Sequence, residues 1–489
     1  MAKRKERFIP RILAFVLSAS LMPTADVVWA DEVKSPAGQP SAAASTAVDA
    51  APAAADAAAA GDDSLPVWSE TTLTGDWQGR RKQLAEAGWQ ISLLYTADFL
   101  HNYRGGFQRG SAFGGHSDLI VQFDGEKSIG WQGGSGYLQF ISNSGGRFNQ
   151  THVNSLMGVD NFEAPVNRSG FFRAWLQQSL WDDRVSLRAG LYPVDTEFYV
   201  TDSSGVFLHP SYGMAAEPSS FGTRAGPPIY PTSAYGVRLR VAPSPAWYAM
   251  LAMTRGVPAD PAGSAPNAGA NVSWRNSSGS LTLGEVGFNP VRSGLFAEQA
   301  ATKSEQKPTG EQAPEKSDDF PPISKVAVGA WRFAPRQPQM TVVDANGDTL
   351  AAGHWGTYLL AEQTVYRFDH ASRDITLFFR AGMTDGRTVQ LDRSASFGLS
   401  WRGPFAGREK DTFGVATTRS HAGRQGRELL SQNQPGQPLT SETETVVEMT
   451  YQAQVMSGVI VQPMLQRIFN PGLNLAHSTV AGARIQLSF

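Results

Sequence analysis

Apolar and polar residues alternate one by one along many short stretches of this chain, and a two-residue period is the period of a β-strand. The last ten residues, VAGARIQLSF, show the pattern. Ala481, Ala483, Ile485, Leu487 and Phe489 share one face, while Arg484, Gln486 and Ser488 share the other. One face is wholly apolar and the other carries a full charge, so the two must meet different solvents.

The pattern recurs from Trp89 onward. In WQISLLYTADF, Ile91, Leu93, Tyr95, Ala97 and Phe99 oppose Gln90, Ser92, Thr96 and Asp98. In DRVSLRAGLY, Val185, Leu187, Ala189 and Leu191 oppose Arg184, Ser186 and Arg188; AYGVRLRV sets Val237 and Leu239 against Arg238 and Arg240. About sixteen such segments can be marked, each near the ~9–11 residues that a tilted membrane strand needs. They lie at 89–99, 117–125, 135–143, 171–180, 184–192, 234–241, 246–254, 281–288, 325–333, 357–367, 374–382, 394–402, 411–418, 444–453, 458–466 and 480–489. After the first 30 residues, no segment offers the ~18 consecutive apolar residues of a membrane helix.

Residues 1–30 read as an export signal: a basic start (MAKRKERFIPR), an apolar stretch (ILAFVLSASLM) and a small-residue cleavage site after Ala30. Residues 31–65 are Ala/Pro/Ser/Asp-rich and read as a disordered linker. Without the signal, 37 basic residues face 42 acidic ones, a net charge of −5 that sits in the linker and gives no support to nucleic-acid binding. Cysteine is absent, which excludes disulfides and thiolate metal sites.

Between the segments, tight turns such as WDD and VMSG alternate with longer connections rich in Gly, Ser, Asn and Pro. That asymmetry is the outer-membrane pattern, with short turns toward the periplasm and long loops outside. Residues 289–324 depart from it, read as a polar insertion where a short turn is due, the alternative being a miscounted strand. A soluble sandwich would bury the apolar faces as core, whereas a membrane barrel would turn them to lipid. The signal, the even count, the turn asymmetry and aromatics near strand ends (Trp89, Phe99, Tyr192, Trp401) favour the barrel.

The stretch LTGDWQGRRKQLAEAGWQISLLYTADF (73–99) closely resembles the opening signature of the OprB-type carbohydrate-selective porin family, matching at Thr74, Gly75, Asp76, Trp77, Gly79, Arg81, Leu84 and Gly88. FFRAWLQQSLWDDRVSLRAGLYPVDTEF, PSSFG, YPTSAYGVRLR, GEVGF and VQPMLQRIFNPG are similar to later stretches of the same family. The terminal aromatic on an alternating strand is similar to the ending of outer-membrane proteins generally. The resemblance implies an all-β, transmembrane antiparallel β-barrel of about 16 strands spanning 89–489. A segment at 66–88 would carry a short N-terminal periplasmic helix, and a long loop would fold inward to narrow a pore for small sugars. The partners implied are small neutral sugars and outer-membrane lipid, in a monomer or homotrimer, in the outer membrane of a Gram-negative bacterium, with no cofactor.

Neutral sugars need donors and acceptors that replace water, and flat aromatic rings for their apolar faces. Arg–carboxylate arrays supply such forks. The polar phase delivers Arg173, Trp175 and Gln177, then Arg184, Arg188 and Tyr192, then Arg238 and Arg240. The connection 193–233, the longest on the loop side, holds Asp195, Glu197, Asp202, His209, Glu217 and Arg224. Arg173, Arg188, Arg238 and Glu197 are therefore the expected polar eyelet, with Arg240 beside it. Trp175 is a sugar platform, or an interface tryptophan if the phase shifts by one. Any single arginine could equally pair across the wall and hold the barrel's shape. Asp76 and Trp77 are expected to cap and seat the helix, and DANGD (344–348) to be a turn rather than a calcium loop. No H-E-x-x-H or G-x-S-x-G motif occurs, and no catalytic or metal site is assigned. The rival reading is a secreted β-rich carbohydrate-binding protein or glycosidase.

Overall fold

Sixteen antiparallel strands close into one barrel, each paired with its neighbours in sequence and the last with the first. The computed structural model describes residues 71–163, 167–219, 227–256, 279–290, 323–368 and 373–489. The expected signal (1–30) and linker (31–65), and most of the polar insertion, lie outside the described residues. The strands are β1 (Trp89–Arg104), β2 (Gly110–Asp124), β3 (Gly134–Gly145), β4 (Arg168–Leu180), β5 (Val185–Tyr192), β6 (Ala234–Ser244), β7 (Trp247–Arg255) and β8 (Ser280–Phe288). There follow β9 (Ser324–Val343), β10 (Thr349–Arg367), β11 (Asp374–Thr384), β12 (Leu391–Arg402), β13 (Thr412–Ala422), β14 (Thr443–Met456), β15 (Val459–Phe469) and β16 (Ser478–Ser488). Each expected segment coincides with one strand, in order. The insertion falls between β8 and β9, in a short-turn position, and does not disturb the count. Several strands run past their expected loop-side ends, β9 and β10 furthest, because backbone pairing continues beyond the apolar band. Their connecting turn is DANGD, in which Asp344 accepts from the Asn346 and Asp348 amides at 2.8 and 3.0 Å.

The polarity of the wall is inverted relative to a soluble protein. Phe99 is 50% exposed while its neighbour Asp98 is 2% exposed. The same alternation leaves Leu176, Leu187, Leu239, Leu251, Phe397 and Leu465 exposed, and Arg173, Arg238, Glu285, Glu448 and Arg484 buried. A sandwich core would show the opposite, which removes the soluble β-rich reading. No helix among the described residues is long and apolar enough to cross a membrane; the strands do so. At the short-turn end, Trp89 stacks on Phe123 and Phe368 on Trp401, and Trp247 meets Phe288 at a tilt, forming an aromatic girdle. Tyr192 does not belong to it. It is fully buried on the inner side, where its hydroxyl donates to the Val237 carbonyl at 3.3 Å, because it continues the inward phase of Ser186 and Arg188.

The short helix α1 (Arg80–Glu86) precedes β1 at the short-turn end, which is the periplasmic side. Asp76 accepts from the Lys82 amide at 3.1 Å, and Trp77 lies 4.0 Å under the Arg81 guanidinium. Both residues seat the helix. The Leu73 amide reaches the Ser488 carbonyl at 2.8 Å, so this segment is tied to the last strand.

Closure rests on the β1–β16 seam. Asp98 stands directly opposite Arg484. The guanidinium grips both carboxylate oxygens at 2.8 and 2.9 Å, and also donates to Asp160 at 2.9 Å and Asn161 at 2.6 Å on the β3–β4 loop. Beyond it, the Phe489 amide donates to the Leu93 carbonyl at 2.9 Å. Removing one partner of a buried ion pair strands the other charge. Arg484→Leu should therefore lower the unfolding free energy of the refolded barrel by about 3–5 kcal/mol in a urea titration. A loss below about 1 kcal/mol, the size of an exposed pair, would show that the seam does not depend on this cation.

Candidate lumenal constriction

Strand register sets the frame of the site. Gln177 on β4, Arg188 on β5 and Arg238 on β6 occupy one row across three neighbouring strands, all on the inward phase. Where the chain leaves β5, a tight 3-10 turn at Val194–Thr196 drops Glu197 back over this row. Arg238 donates to Glu197 through Nε at 2.8 Å, and its Nη2 lies 2.7 Å from the same oxygen. It also donates to the Ser186 hydroxyl at 2.6 Å and to Gln177 at 2.9 Å. Arg188 donates to Gln177 at 3.1 Å and lies 3.5 Å from Glu197. Burial alone would raise the Glu197 carboxyl, but Arg188 and Arg238 outweigh it and hold it below the ordinary carboxylate range.

Trp175 points inward and is not an interface tryptophan. Its indole is stacked with the Tyr137 ring at 5.3 Å and an 8° interplanar angle, and the Arg188 guanidinium lies 3.7 Å from it. Tyr137 comes from β3 and Arg188 from β5, on opposite sides of β4, so both flat faces are covered. The row of Trp175 continues into Gly190 and Gly236. At Gly190 the backbone has φ of +143°, and an added Cβ would come within 2.3 Å of the Ala174 carbonyl. Arg173 is buried at the edge of this group, 5.6 Å from the rings of Tyr137 and Phe172. A register shift of β4 against Gln139 and Phe140 turns both Phe172 and Arg173 inward. Arg240 lies two residues nearer the short turn, 5.5 Å from the Tyr248 ring. The six expected residues thus gather on one side of the lumen, with Arg188, Glu197 and Arg238 in direct contact.

The loop that carries Glu197 runs across the barrel interior. Glu362 on β10 accepts from the Asp202 and Ser203 amides at 3.2 and 3.0 Å. On β14, Glu448 accepts from the Leu208 and His209 amides at 2.7 and 2.9 Å. Arg380 on β11 donates to the Tyr199 carbonyl at 2.8 Å and to those of Tyr212 and Gly213. The other titratable residues singled out in this loop serve its seating. Asp195 accepts from the Tyr230 amide at 3.0 Å and joins the loop's two ends. Burial pushes the His209 imidazole down to about 3, so it stays neutral; its Nδ1 accepts from the Ser211 amide at 3.3 Å and its Nε2 faces the Gly158 carbonyl at 3.1 Å. Burial raises Glu217 to about 7, where it meets the hydroxyls of Tyr199 and Ser394. Arg224 lies outside the described residues.

Glu285, Glu362, Arg380 and Glu448 hold this loop, yet none stands out in sequence as a site residue. Their one signal is their place on the polar phase of later strands. Apolar side chains also line part of the interior: Tyr192, Phe198, Tyr199 and Met214 pack with Leu281, Leu283, Trp331 and Tyr358 where the loop meets β7–β10. The lumen is therefore not uniformly polar.

Comparison with known proteins agrees with this architecture. The chain is 25% identical over 442 residues to Porin B of Pseudomonas aeruginosa, covering 85% of this chain and 91% of that one. It is 21% identical to the putative porin QuiX of Acinetobacter baylyi, over 86% and 94% of the two chains. A high-pH structure of Pseudomonas putida OprB superposes with a TM-score of 0.72 at 19% identity, over 87% of this chain and all of that one, a likeness of fold. The family described as carbohydrate-selective porin, OprB family, matches residues 108–489. With that match over most of its length and a closed sixteen-stranded barrel turned apolar side out, the chain belongs to the OprB family of carbohydrate-selective porins, channels of the Gram-negative outer membrane.

Proposed function

We propose that this porin passes small neutral sugars by passive diffusion, and that the Arg188–Glu197–Arg238 cluster between β4–β6 and the inward loop is its selective passage. One observation carries the reading: two arginines and a carboxylate are clamped together on the inner wall, at the point where a long loop crosses the lumen. Such a cluster offers fixed donors and acceptors to hydroxyls, and its carboxylate offsets one of the two positive charges beside it. A pore must also bind weakly enough to release.

The members have different roles. The Arg238 side chain is only 3% exposed and most of its donors are engaged by Glu197, Ser186 and Gln177. It anchors the loop. Arg188 and Glu197 are each 12% exposed and are the parts a passing sugar reaches. Trp175 works through Arg188, holding the guanidinium plane flat rather than offering a bare ring. Arg173 and Arg240 flank the passage on the inner wall and add to the field on Glu197. The sugar therefore meets a polar edge, backed by aromatic rings, with no catalytic step.

In planar bilayers, Arg188→Gln should weaken sugar block of the ion current by about tenfold or more, the loss of roughly one charge-assisted hydrogen bond, while the channel still conducts without sugar. Unchanged block would remove Arg188 from the path. In liposome swelling, sugars should enter faster than amino acids of equal size. Rates that follow size alone would reject selectivity.

The depressed Glu197 carboxyl gives a pH test. Its folded-state value lies below the unfolded one, so the bond to the arginines is at full strength above the ordinary carboxylate pKa of about 4.3 and fades only as pH falls through the lower value. Glu197→Gln should shift ion preference toward anions at pH 7. The difference from wild type should persist as pH falls through the ordinary carboxylate value of about 4.3 and close only at lower pH. A difference that closes between pH 5 and 7 would contradict an ionised, arginine-held Glu197.

A further inference from the structure

The lipid-facing surface of β12–β16 changes character at one level. Going toward the loop side, the outward residues run from Phe397 to Arg393 on β12, from Val415 to Arg419 on β13 and from Leu465 to Arg467 on β15, where Phe469 follows with its ring 5.6 Å from the Arg467 guanidinium. On β14 and β16 the same level is marked by Thr443 and Thr479. These positions alternate with buried inner-wall residues such as Thr418, Ser420, Gln466 and Ile468, which fixes their outward direction. The loop side is the outer leaflet of the outer membrane.

Arg393 is already compensated: Asp392 lies 3.5 Å away and His421 shares that carboxylate at 2.7 Å. Glu442, nearer the loop, is met by Arg427 at 3.2 Å. Arg419 and Arg467 differ. Arg419 donates to the Thr443 hydroxyl at 3.1 Å, Arg467 donates to the Thr479 hydroxyl, and among the described residues neither has a carboxylate partner. Two arginines on the lipid face, held by threonines two strands apart at the edge of the apolar band, are placed where hydrocarbon gives way to headgroups. Planar guanidinium forks bind phosphate bidentately, and hydroxyls add donors beside them.

We propose that Arg419 and Arg467 form a docking site for the phosphorylated headgroup of an outer-leaflet lipid. The occupant follows from charge and depth: the site faces acyl chains below, so its ligand carries a tail, and it presents uncompensated positive charge above, so its head is anionic.

Native mass spectrometry of the full chain in detergent would test this with a bisphosphorylated diglucosamine lipid and the same lipid stripped of its phosphates. The wild-type protein should retain the phosphorylated form and release the other. Arg419→Gln/Arg467→Gln should bind it about thirtyfold more weakly, the effect of two near-surface arginines, while its lipid-free thermal unfolding and channel conductance match wild type. Arg419→Lys/Arg467→Lys, which keeps the charge and loses the fork, should recover part of the affinity. Arg332→Gln, an exposed arginine on β9 away from this patch, should behave as wild type. Equal retention of the dephosphorylated lipid, an undiminished double variant, or an equal loss in Arg332→Gln would overturn the proposal. A double variant that changed the number of associated chains would instead assign the face to a second copy, and overturn it too.

Discussion

Hydrocarbon contains no water to take the hydrogen bonds of an unpaired strand edge, so a sheet crossing a membrane must close on itself. In this chain the first and last strands carry that requirement, and they are separated by almost the entire barrel sequence. Their seam is held by ladder bonds along its length and by Arg484, which grips Asp98 across it. The same guanidinium binds Asp160 and Asn161 of the β3–β4 loop. Closing the barrel and fixing a loop inside it are thus one interaction.

The interior follows from a second requirement. A loop buried in a barrel brings amide and carbonyl groups that need partners. The wall supplies them from its inward phase. Carboxylates meet amides, as Glu362 and Glu448 do, while Arg380, Gln462 and Gln466 donate to carbonyls. A wall rich in buried charge is therefore not by itself a conducting surface. Much of it is a socket for the loops. Where the loop leaves β5, Glu197 and Arg188 keep part of their surface open while Arg238 is enclosed, and the proposed passage lies there.

That division explains how far the sequence could be read. Strand number, order and phase were legible because one face of each strand must suit lipid, which imposes strict alternation. Arg188, Arg238 and Gln177 were legible for the same reason, since phase alone places them inward. Glu197 required the added step of an inward loop. The roles of Arg484, Asp98 and Asp160 were hidden, because their contact joins opposite ends of the chain and no local pattern encodes it. Tyr192 reads both as a girdle aromatic and as part of the polar phase, because an aromatic residue at a strand end suits a girdle and a loop-packed interior equally well; its full burial follows the phase. Trp175 shows a related limit: alternation gives its direction, not its neighbours Tyr137 and Arg188.

The pairing of charges in the proposed passage bears on how a pore avoids becoming a trap. An arginine with no protein partner would bind a sugar, or an anion, with most of its donors and release it slowly. Arg238 has committed those donors to Glu197, Ser186 and Gln177, and Arg188 rests on an indole. A hydroxyl arriving there exchanges one hydrogen bond for another of similar strength, so neither entry nor departure costs much. The pairing also holds Arg238 in place, because that arginine cannot swing away without losing both of its short contacts to Glu197. In the proposed passage, weak contact then follows from the pairing itself, and selection for sugars would rest on the geometry of that pairing more than on the affinity of any one side chain.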